Sequence, residues 1–85
     1  MTTQELVGKL TILKNNSKNS HLNVQSITTE LSGFMPSFSN TVQGSKTGEA
    51  AVGIATMAIT SLDNALACLE SLQRACDDFI GVLTS

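Results

Sequence analysis

The sequence predicts an all-α fold: an antiparallel two-helix hairpin that completes a four-helix bundle by dimerisation. Two apolar rhythms predict it, together with the polar stretch between them. In the C-terminal stretch, 21 of the 34 residues from Ala50 to Leu83 are apolar. Ala55, Ile59, Leu62, Leu66, Leu69, Cys76, Ile80 and Leu83 follow alternating steps of three and four, with Gln73 the one polar slot. That is the seam of a helix packed lengthwise on another helix. In the N-terminal half the same rhythm runs through Leu6, Leu10, Leu13, Ser17, Ser20, Val24, Ile27, Leu31, Phe34 and Phe38. Between the two lies a polar, glycine-containing connection near the midpoint. One domain of 85 residues follows, with helix 1 at about 3–35, the turn at about 36–47 and helix 2 at about 48–83.

Helix 1 starts on a capping signal. In Thr2-Thr3-Gln4-Glu5 a Thr hydroxyl can accept an orphan amide, and Glu5 can reach back to the capping residue. Lys14 to Ser20 is polar throughout, and Asn15, Asn16, Ser17 and Asn19 are poor helix residues because their side chains compete for the backbone. The rhythm agrees on either side of this block, which predicts one continuous helix, loosened locally. Gly33 and Pro36 predict a kink or an end near residues 33–36, because proline has no amide to donate and disfavours a helical residue before it. Thr47 or Ser45 should cap helix 2, with Glu49 in its first turn favoured by the helix dipole. On helix 2 a second row, Ile54, Ala58, Ala65, Leu72 and Phe79, broadens the apolar face beyond one stripe. The chain offers that helix only one long neighbour, so part of its covering is expected from another polypeptide.

Composition narrows the function classes. The chain carries seven acids and five bases, a net charge of −2, so no basic patch is available to neutralise phosphates and a nucleic-acid partner is not expected. The charge divides unevenly: +2 over residues 1–48 and −4 over residues 49–85. Cys68 and Cys76 lie eight residues apart on one helix, about 12 Å along its axis, too far to bond to each other. They read as small apolar residues, with an intermolecular disulfide or a reactive thiol as the other option. One His and two Cys at this spacing make no metal pattern, and no cofactor is expected. With a single His and no nucleophile beside a base, the expectation is a protein that is not an enzyme. The N-terminus lacks the basic-then-apolar pattern of a cleaved leader. The run Ala50–Ile59 is short for a bilayer span, and the helix around it is acidic, with Arg74 its one base after residue 49, which argues against membrane binding.

The centre of the chain carries a resemblance. Val42-Gln43-Gly44 occupies the turn, followed by Gly44-Ser45, Gly48-Glu49-Ala50, and then Leu62-Asp63-Asn64-Ala65-Leu66 and Leu69. With two helices of near 40 residues, this resembles the small WXG-type (ESAT-like) helical hairpins handled by bacterial type VII secretion. Val42 stands where that family has Trp. Family members that carry the export signal end on an aromatic residue with an acid four positions later; here Phe79 is followed by Leu83. The resemblance implies a signal-lacking member of a pair, or a targeting partner or chaperone for the helical N-terminal domain of a larger LXG-type toxin. It implies a bacterial cytoplasmic location, with export through type VII secretion and no cleaved signal peptide. A cytosolic homodimeric adaptor and a membrane-associated amphipathic helical protein are the alternatives. The residues expected to form the seam and partner interface are Leu6, Leu10, Leu13, Val24, Ile27, Leu31, Ala55, Ile59, Leu62, Leu66, Leu69, Leu72 and Phe79.

Overall fold

A computed structural model describes residues Met1–Ser85 as an antiparallel hairpin of two helices, α1 (Thr3–Thr41) and α2 (Lys46–Thr84), each of 39 residues. The Thr2 side chain caps α1, its Oγ1 accepting the Glu5 amide at 3.1 Å. The helix runs unbroken through the polar block at 14–20. Ser17 stays helical by donating its hydroxyl to the Leu13 carbonyl at 2.8 Å, a bond within its own helix.

Helix 1 does not end at residue 35, and the turn does not begin at 36. α1 continues through Gly33 and Pro36 to Thr41. The proline removes one amide, and the Ser32 carbonyl it would have bonded lies on an exposed side of the helix, where water can serve it. Packing holds the last turns: Met35, Phe38 and Val42 are half-buried towards α2, and the Phe34 and Phe38 rings stack with centroids 5.5 Å apart. The connection shrinks to Val42–Ser45. Gly44 takes φ +88°, the left-handed region that favours glycine, and Ser45, not Thr47, caps α2 by accepting the Gly48 amide at 3.1 Å. Glu49 reaches back to accept the Gly44 amide at 3.4 Å.

The close approach of the helices at the turn fixes their alignment. A Cβ built on Gly48 would collide with the Val42 side chain, so Gly48 is the hole into which Val42 fits. Towards the open end, the Lys14 ammonium pairs with the Asp77 carboxylate, and His21 Nε2 lies 3.4 Å from Glu70 Oε1. All three contacts belong to one antiparallel register. A row of half-buried and buried positions then runs in steps of three and four along both helices: Leu10, Lys14, Ser17, His21, Val24, Thr28, Leu31, Met35 and Phe38 on α1 with Val42 just past its end, and Val52, Ala55, Ile59, Leu62, Leu66, Leu69, Gln73, Cys76, Ile80 and Leu83 on α2.

The result is a rod of 62 × 18 × 15 Å in which only Ser17 and Cys76 are buried. Its accessible surface is 5946 Å². A compact monomer of 8.9 kDa would expose about 4,800 Å², so the hairpin carries an excess of about 1,100 Å².

Candidate partner-binding face

In an antiparallel helix pair, the residues flanking the seam on one side of one helix lie beside the corresponding residues of the other. Here the two flanks differ in chemistry. One side carries Thr11, Lys18, Gln25, Ser32 and Ser39 from α1, with Glu49, Thr56, Asp63, Glu70 and Asp77 from α2. The Lys14–Asp77 ion pair and the His21–Glu70 contact lie there. The opposite side carries Leu6, Leu13, Ser20, Ile27 and Phe34 from α1, with Ala51, Ala58, Ala65, Leu72 and Phe79 from α2. This apolar flank is open. Phe34 is 58% exposed, Ile27 48%, Phe79 46% and Leu13 43%. Beside it on α2, Ile54, Met57 and Val82 extend the apolar area outwards and are exposed. Ile12 and Leu22 are also exposed but lie away from this flank.

The expected interface residues therefore separate into two groups. Leu10, Val24 and Leu31, with Ala55, Ile59, Leu62, Leu66 and Leu69, sit in the seam between the chain's own helices. Leu6 is half-buried at the seam's edge. Leu13, Ile27, Leu72 and Phe79 face out along the open flank. On α1 the expected rhythm is displaced at alternate positions: Lys14, His21, Thr28 and Met35 occupy the seam where Leu13, Ser20, Ile27 and Phe34 were expected. Two neighbouring rows on α1 both fit a three-four spacing, and hydrophobicity favours the wrong one. The electrostatic pattern carries the missing signal. Lys14 and His21 are seven apart, as are Glu70 and Asp77, and antiparallel pairing brings base to acid.

Val42 is half-buried against Gly48, while Gln43 and Gly44 are exposed at the tip. A shallow cleft beside the tip is lined by Ser39, Asn40, Gln43, Glu49 and Val52, and a second lies along Glu70, Gln73, Arg74 and Asp77. No three His, Cys, Asp or Glu side chains are grouped to hold a metal ion. Both cysteines are free, Cys68 exposed and Cys76 buried in the seam. α2 as a whole is long and apolar enough to cross a membrane on length and composition, which the short run Ala50–Ile59 alone does not indicate. No protein-family model, curated protein or solved structure matches the chain.

Proposed function

We propose that the chain is a non-enzymatic pairing module of bacterial type VII secretion: a helical hairpin that binds another helical hairpin and serves as an export partner or targeting factor for a secreted LXG-type effector. The observation that carries the reading is the open apolar flank on a rod whose opposite flank is polar. Such a face is complementary to a second amphipathic hairpin and closes as a four-helix bundle. The excess surface exceeds the roughly 800 Å² that each partner contributes to a standard stable interface. The secretion setting rests on the resemblance of Val42-Gln43-Gly44 and the following segments to WXG-type hairpins. By that resemblance the partner would carry the export signal, since Leu83 stands four residues after Phe79.

A tagged chain recovered from its native bacterial host, with its companions identified by mass, tests this. The expected companion is a small helical hairpin or the helical N-terminal domain of a larger effector, in a fixed ratio. Recovery with no such companion would overturn the reading. A second reading, a membrane-associated helical protein, is favoured by one observation, the length and apolarity of α2. Liposome flotation separates the two: the pairing module stays with the soluble fraction, whereas a membrane-associated chain floats with the vesicles.

A further inference from the structure

The seam changes character along the rod. From the turn as far as Val24 and Leu66, Thr28 is the one polar side chain in the row. From there to the end that holds the termini, Lys14, Ser17, His21 and Gln73 make four of the nine positions polar. Two of these four bond only within their own helix. The Ser17 hydroxyl donates to the Leu13 carbonyl at 2.8 Å, and Gln73 Nε2 donates to the Leu69 carbonyl at 3.4 Å. The polar contacts that do cross this layer are Lys14 to Asp77 and His21 to Glu70. Asp77 and Glu70 keep 52% and 59% of their side-chain surface, so water competes for both contacts and they hold the helices together weakly. The α1 segment at this layer is also a poor helix by itself, because Asn15, Asn16, Ser17 and Asn19 compete for the backbone. Its helical state depends on docking against α2.

We propose that this end of the hairpin is a latch. Residues 3–21 of α1 release from residues 70–84 of α2 and dock again as one unit, with the polar layer as the catch. The turn half stays zipped by its apolar seam, by the Phe34–Phe38 stack and by Val42 against Gly48, and it restores the same register at each closure. The latch also governs the open flank. Leu6 and Leu13 travel with the released segment, whereas Ile27 and Phe34 stay with the turn half. The flank is therefore whole only with the latch shut, and a partner seated along its full length holds it shut. That consequence, unlike the opening itself, rests on the pairing reading above.

Amide hydrogen exchange of the chain alone, followed residue by residue by NMR, tests the latch. Residues 10–21 and 70–80 should share one level of protection, about tenfold below that of residues 28–38 and 52–66. Fraying would instead give a ramp that rises steadily from the termini. A ramp, or equal protection in the two halves, overturns the proposal. Gln73→Leu makes the catch more apolar, so exchange should slow about tenfold in both 10–21 and 70–80 and stay unchanged in 28–38. Because α1 carries no substitution in this variant, slowing there identifies the two segments as one unit. Slowing confined to α2, or none at all, overturns the polar layer as the catch. Neither measurement involves a partner, so a failed latch leaves the pairing reading to the host pull-down, and a failed pull-down leaves the latch standing.

Discussion

Replacing Ile27 by Asp separates the open flank from the seam. Ile27 is 48% exposed on the open flank, so about half of its side chain remains to be covered by a partner. Full burial of an Ile side chain is worth roughly 1.5–3 kcal/mol, so the uncovered half contributes about 1 kcal/mol to association. A carboxylate in that contact, with no partner, adds a penalty of about 1–3 kcal/mol. Pairing should therefore weaken by about 2–4 kcal/mol for each copy carrying the change, a rise in Kd of about 30-fold or more. The hairpin itself should stay helical, because Ile27 lies outside the row of seam positions. Leu66→Asp is the contrasting variant. Leu66 lies in the seam between α1 and α2, and the charge would strike a chain whose whole stability is of the order of 0.05–0.15 kcal/mol per residue. Loss of a fully buried Leu costs about 2–5 kcal/mol and the half-buried Leu66 loses part of that, so with an unpaired charge added in the seam this variant should lose its fold as well as its pairing. Sedimentation equilibrium reports association, and far-UV circular dichroism with a thermal melt reports the hairpin. An Ile27→Asp chain that associates like the parent, or that loses helicity as Leu66→Asp does, would refute the assignment of the flank.

Two further predictions address the hairpin. Gly48→Ala should lower the melting temperature, because overpacking against Val42, about 1–3 kcal/mol, outweighs the roughly 1 kcal/mol that Ala gains over Gly in a helix. Gly53→Ala, with no atom within 4 Å of the new Cβ, should raise it, and a rise in both would show that the helices do not approach closely at Gly48. Cys68 should react with a thiol reagent in the folded protein while Cys76, 3% exposed, reacts only on unfolding; equal reactivity would remove Cys76 from the seam.

The α2 seam was legible from spacing alone, because its apolar positions and the polar Gln73 form one unambiguous row from Ala55 to Leu83. The Thr2 cap was equally plain, since capping depends on a few adjacent residues. Pro36 misled the boundary of α1. A local preference was outweighed by Met35, Phe38 and Val42 packing on α2, a cooperative effect no window around the proline contains. The cap of α2 turned on a choice between two hydroxyl residues, decided by the single left-handed residue Gly44 just before Ser45. On α1, counting apolar residues placed Leu13, Ile27 and Phe34 inside, whereas Lys14 and His21 lie at the seam's edge beside the acids of α2 and those larger apolar side chains face outwards. The open flank was thus foreseen as a surplus on helix 2 but not as a face shared by both helices.

The Val42 side chain seated at Gly48 works as the tooth of a key. Repeating heptads permit one rod to glide along its neighbour by a whole repeat with little change in greasy contact. Here such a glide only exchanges Lys14–Asp77 and His21–Glu70 for Lys14–Glu70 and His21–Asp63, since the acids recur every seven residues, but it drives Val42 off the notch at Gly48. The two rods consequently lock at a single setting, and any molecule seated across them meets a template of constant spacing from tip to open end.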